Sequence, residues 1–216
     1  MINTVIFDLD GTLLNTLADL TDAVNAAFRR FGYRERTERE CASFLGHGFD
    51  ELISKALPDG VEDTRKAEVT SAFRDYYMAH NAEKTQLYSG ISELLDLLNA
   101  KGFRIAVVSN KGDEAVRALA ADYFPGKAAV VVGEREGVRK KPAPDAVNEA
   151  LRTLGAERTQ AVYVGDSEVD AETAQNAALP CILVSWGYRE RAFLETLDAA
   201  AIIDAPAELP AVLERL

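Results

Sequence analysis

The stretch VIFDLDGTLL, residues 5–14, is an apolar run that stops at two aspartates one residue apart and a glycine. A short, continuous, β-branched run of this kind reads as a strand covered on both faces, the type found in parallel sheets. Residues two apart in an extended segment face the same way. Asp8 and Asp10 therefore bring two like charges together, and they require a cation nearby.

Five further runs match the first in kind: RIAVVSN (104–110), AAVVVG (128–133), AVYVGD (161–166), CILVSW (181–186) and AIIDA (201–205). Helical patterns alternate with them. SGISELLDLLNAKG (89–102) places Ile91, Leu94, Leu95 and Leu98 on one stripe before Gly102, and 142–155 and 167–179 repeat the plan. This alternation predicts an α/β fold, a Rossmann-like doubly wound parallel sheet. Residues 15–83 break the rhythm with three amphipathic segments and no strand. Thr16 with Asp19 approximates a capping box at the start of 16–32, residues 37–40 (TERE) form a second, and the third segment carries Val69, Phe73, Tyr76 and Tyr77 on one side. The expected organisation is a core of residues 1–14 and 84–216 with an all-α helical cap, 15–83, inserted after the first strand.

With 216 residues, 48% of them hydrophobic, the chain can bury a substantial core. Its net charge of −11 and lack of a long basic block argue against nucleic acid and anionic membranes as partners. No apolar run reaches the ~18 residues of a membrane span, and the first residues lack the marks of a signal peptide, so the cytoplasm is the expected location. Cys41 and Cys181 match no metal spacing and read as reduced packing residues.

In an open parallel sheet the carboxyl ends of the strands share one edge, where ligands bind. Asp8, Asp10, Asp166 and Asp170 all follow strands, and carboxylates in this number without His or Cys suit a hard ion, Mg²⁺ before Zn²⁺. Gly11, Thr12, Ser109 and Lys141 offer backbone access, hydroxyls and a compact cation, a set suited to a phosphate. An aspartate nucleophile needs no separate base to ionise it, and its acyl phosphate is open to hydrolysis; a second carboxyl could serve both half-reactions as acid and then base. One acid or base gives only about 10²–10⁴ of an acceleration that can reach about 10²¹, so charge neutralisation and positioning must dominate.

D8-x-D10-G11-T12, Ser109 after an apolar strand, Lys141 before a proline, and G165-D166-S-E-V-D170 resemble, in order and spacing, the four motifs of the haloacid dehalogenase superfamily. The resemblance spans the chain and is strongest to its phosphoglycolate phosphatases. It implies Asp8 as nucleophile and Asp10 as acid/base. It further implies Mg²⁺ held by Asp8, the Asp10 carbonyl and Asp166, with Asp170 in support. Ser109, Asn110 and Lys141 would bind the phosphoryl group of a small phosphorylated metabolite, 2-phosphoglycolate first. Asn15 and the YSGI linker (88–91) depart from the family pattern, in which an aspartate and a proline are usual. A pyrophosphatase, a sugar-phosphate mutase and a non-catalytic binding module are the rival readings. Several residues admit a second reading: Asp170 as a helix N-terminal acid, Thr12 as a strand terminator, and His47 as structural rather than a substrate-contacting cap residue. Trp186 and Tyr188 read as packing residues, and Lys140 as a solvated neighbour of Lys141.

Overall fold

The computed structural model describes residues 1–216. Strand β1 (Thr4–Phe7) leads through a two-residue strand, β2 (Leu14–Asn15), into four helices: α1 (Leu17–Phe31), α2 (Glu38–Phe44), α3 (Phe49–Ala56) and α4 (Asp63–His80). A second two-residue strand, β3 (Gln86–Leu87), returns the chain to α5 (Ile91–Ala100), β4 (Arg104–Gly112), α6 (Asp113–Tyr123) and β5 (Val130–Glu134). The rest comprises α7 (Asp145–Leu154), β6 (Ala161–Gly165), α8 (Glu168–Asn176), β7 (Cys181–Val184), α9 (Arg191–Leu194), β8 (Ala201–Ile203) and α10 (Leu209–Leu213).

Six strands form one parallel sheet in the order β5-β4-β1-β6-β7-β8. Strand β1 is buried throughout because both of its faces are covered. Val5, Phe7, Val107, Val162 and Val164 pack on one side with apolar residues of α5, α6 and α10. Ile6, Ala106, Val108 and Tyr163 pack on the other with α7 and α8. The α/β doubly wound fold expected from the sequence is thus present, and the apolar runs needed no alternation because neither face meets water. Strand order reverses at β1, so the crevice beyond its carboxyl end is the topological switch point.

The four-helix insert has an apolar cluster of its own, with Leu20, Val24, Phe28, Leu52, Phe73 and Tyr77 at its centre. Three details differ from the sequence expectation. Helix α3 is additional: it is short and starts at Gly48, whose φ is 88°, with no side-chain cap to announce it. The linkers are not strand-free, since β2 and β3 pair antiparallel, Leu14 with Leu87 and Asn15 with Gln86. Thr16 and Asp19 form no capping box. The Asp19 carboxylate instead accepts the Lys84 and Thr85 backbone N–H groups and the Thr85 hydroxyl at 2.8–3.1 Å, clasping the outgoing connection to the returning one. The second box is present: Thr37 and Glu40 cap α2 reciprocally.

Candidate active site

Asp8 follows β1 directly, and its backbone N–H donates to Val164 O on β6 at 2.9 Å, which fixes the residue at the sheet's switch point. The Lys141 ammonium, 5% exposed, lies between Asp8 Oδ1 at 2.7 Å and Asp170 Oδ1 at 2.8 Å, and also reaches the Tyr163 hydroxyl at 3.1 Å. Asp8, Asp166 and Asp170 each bring a carboxylate oxygen to within 4.8 Å of the others, and all three are buried. Two of the three acids therefore share one lysine, and Asp166 has no contact with it. Burial pushes the Asp8 carboxyl up to about 7 against the pull of Lys141, with Asp170 and Asp10 adding repulsion. Asp166 is raised well above the usual carboxylate range by burial and by its neighbours Asp170 and Asp8. Lys141 stays charged, because Asp170 and Asp8 outweigh the burial that would lower it. The all-oxygen donor set is compatible with a small hard cation, which would offset this excess of negative charge.

The remaining residues singled out in the sequence divide into those that face the cleft and those that support it. Asp8, Asp10, Ser109, Asn110, Lys141 and Asp166 line it. Asn110 lies there as a brace: its Oδ1 accepts the Lys141 N–H at 2.7 Å, and its Nδ2 donates to the Lys141 carbonyl and to Gly46 O, both at 2.9 Å. No side-chain donor of Asn110 is left for a phosphoryl group. Gly11 has φ +89°, and a Cβ there would lie 2.3 Å from Asp166 Oδ2, so the glycine permits the close approach of that carboxylate. Thr12 is fully buried behind the cleft, with its hydroxyl unpartnered and its carbonyl accepting the Trp186 indole N–H at 3.0 Å. Asp170 stands at the start of α8, as its helix-acid reading expects: Oδ2 accepts the Asp166 and Ser167 N–H groups and the Ser167 hydroxyl, while Oδ1 holds Lys141. His47 is outside the cleft wall, with Nδ1 3.8 Å from Glu51, although its neighbours Gly46 and Gly48 line the cleft. Lys140 pairs with Glu134 at 2.8 Å, both side chains half-buried.

Four residues at the site were not legible beforehand. Lys111 donates to Asp10 Oδ1 and, at 2.7 Å, to the Tyr77 hydroxyl of α4. Burial opposes its charge, but Asp10 and Tyr77 hold its pKa above the usual lysine value. Burial pushes the Tyr77 phenol up to about 12, so it remains a neutral hydroxyl. Tyr188, expected to pack, lines the cleft: its N–H donates to Asp166 Oδ2 at 2.7 Å and its hydroxyl meets Thr16. Arg189 pairs with Glu168 and donates to the Ala42 and Leu45 carbonyls at the end of α2, both at 2.9 Å, tying the insert to the sheet. The SNK run (109–111) was the one signal that pointed at Lys111. Its partner Tyr77 lies 34 residues away on the insert, a distance that no local pattern bridges.

The comparisons agree with this arrangement in kind. Residues 5–184 match the family profile described as haloacid dehalogenase-like hydrolase. A phosphoglycolate phosphatase of Rhodobacter capsulatus is 34% identical over 217 residues, covering 97% of this chain and 96% of its own. A crystal structure of a protein from Lactobacillus delbrueckii subsp. bulgaricus superposes with a TM-score of 0.93 at 37% identity, covering 98% of both chains. CbbY from Rhodobacter sphaeroides, solved with phosphate and, as a mutant, with xylulose-(1,5)bisphosphate, is 29% identical with a TM-score of 0.80 over 99% of this chain and 99–100% of its own. No helix is long and apolar enough to cross a membrane. Sequence, sheet order and the position of the acids thus converge, and the chain belongs to the haloacid dehalogenase-like hydrolases.

Proposed function

We propose that this hydrolase is a Mg²⁺-dependent phosphatase of small phosphate monoesters, with 2-phosphoglycolate the leading substrate, acting through a phosphorylated Asp8. The observation that carries the reading is the Lys141 ammonium set between Asp8 and Asp170 with Asp166 beside them. Asp8, Asp166 and the Asp10 carbonyl would hold Mg²⁺, which neutralises charge on the nucleophile and on the phosphoryl oxygens when bound. Lys141 and Ser109 bind the phosphoryl group, and Lys141 keeps Asp8 aimed at phosphorus. Asp10 gives its proton to the departing alkoxide and then takes one from the water that opens the acyl phosphate. The functional division we infer is a catalytic core of residues 1–14 and 84–216 and a cap of 15–83. The cleft is lined from both sides, by Leu45, Gly46 and Phe49 of the insert and by the strand-end residues of the core, so the cap would close over the substrate and exclude water.

The test is phosphate release with Mg²⁺, and with EDTA as control, from a panel of phosphoglycolate, pyrophosphate, hexose phosphates and nucleotides. Phosphoglycolate is expected to lead, and Asp8→Asn to fall to background on every substrate. The thermal midpoint of that variant in EDTA should equal or exceed the wild type's, because one of three crowded carboxylates loses its charge. Turnover by Asp8→Asn at the wild-type rate refutes the assignment.

A further inference from the structure

We propose that Tyr77 and Lys111 are a positioning pair through which the helical insert aims the Asp10 carboxyl at the leaving group; the inference rests on the phosphatase reading above. Both hydrogen bonds to the Asp10 side chain go to the same oxygen, Oδ1: one from Lys111 Nζ, the other from the Thr16 hydroxyl at 2.5 Å. The second oxygen, Oδ2, is left for the substrate in a cleft that Asp10 itself lines. An ammonium on a four-carbon stem does not hold such a position alone, since its rotamers are many and its donors rotate freely. The Tyr77 hydroxyl supplies the second anchor, accepting from the same Nζ at 2.7 Å. Tyr77 is itself immobilised, fully buried with its ring stacked on Phe73 at 5.8 Å and edge-on to Phe49 at 5.3 Å between centroids. Lys111 belongs to β4 and Tyr77 to α4, so the full set of contacts exists only with the insert seated on the sheet.

The consequence is chemical. When Asp8 attacks phosphorus, the bond from phosphorus to the alkoxide oxygen breaks and the proton on Asp10 moves to that oxygen. When water then attacks, it returns a proton to Asp10 as the bond from phosphorus to Asp8 breaks and inorganic phosphate leaves. A leaving group that departs as a stable anion needs no proton in the first step. Misaiming Asp10 therefore slows the first step for one kind of substrate and spares that step for the other.

The experiment compares kcat/KM, which reports on the first step, for 2-phosphoglycolate and for acetyl phosphate, whose carboxylate leaves unprotonated. Tyr77→Phe keeps the ring and removes only the acceptor. Its kcat/KM is expected to fall about tenfold on phosphoglycolate, part of the ~10²–10⁴ that a placed acid supplies, and to change by less than about twofold on acetyl phosphate. Lys111→Met should show the same split, enlarged, and decides the matter if the tyrosine variant folds poorly. Equal losses on both substrates would mean a merely structural role and overturn the pair, as would no loss on either. Failure of the wild type to release phosphate from both substrates would instead strike the phosphatase reading, and the pair would fall with it.

Discussion

At the scale of single residues, the site depends on how closely backbone can approach Asp166. A Cβ at Gly187 would lie 2.3 Å from Asp166 Cβ and 2.5 Å from Gly11 O, distances that no packing adjustment absorbs. Gly187→Ala should therefore displace the carboxylate and weaken Mg²⁺ binding by about 10–100-fold, the usual cost of disturbing what orients a ligand. Titration calorimetry against the wild type measures this, and unchanged affinity would show that Asp166 is not a ligand. The acids themselves were readable from the sequence because each ends an apolar run. The need for glycine at 187 was not, since it arises from a side chain that folding brings in from β6. Thr12 and Asn110 show the same limit: motif spacing brings a residue near the site, but packing decides what its side chain can reach.

At the scale of elements, the two expected capping boxes came out differently for a physical reason. Thr37 and Glu40 close on each other through Glu40 Oε2 while Arg34 and Arg36 take only Oε1, whereas Thr16 and Asp19 are drawn to Asp10, Tyr188 and the returning linker. Thr37→Ala is expected to cost about 1 kcal/mol in a urea melt. The backbone N–H of Thr37, followed by Arg34, holds the Glu40 carboxyl at about 2, below its usual 4.5. A depressed acid contributes stability above its unfolded value and loses it as pH falls through the folded one. The stability gap between wild type and Glu40→Gln should thus be full near pH 7 and close between about pH 4.5 and 2. A gap that widens on acidification would contradict the cap. The strands were the most legible elements because burial on both faces leaves an uninterrupted apolar run; α3, eight residues without a cap, left no comparable trace.

For the whole molecule, folding keeps three buried carboxylates beside one lysine, in a chain whose net charge is already −11. A cation that binds only the folded state stabilises it by mass action. At a hundredfold excess over its dissociation constant, Mg²⁺ should add about 2.7 kcal/mol, about 5–10 °C in the thermal midpoint for a chain of this size. Asp166→Asn should remove most of that shift, and a midpoint insensitive to Mg²⁺ in the wild type would remove the basis for the metal site. The sheet order has a further consequence during synthesis. Strand β1 is made first, yet its two neighbours begin at Arg104 and Ala161. A ribosome therefore carries Asp8 with no wall on either side until β4 emerges, and with only one until β6 does. On the proposed reaction, a chain arrested before Asp166 has emerged should be inert as well as unfolded.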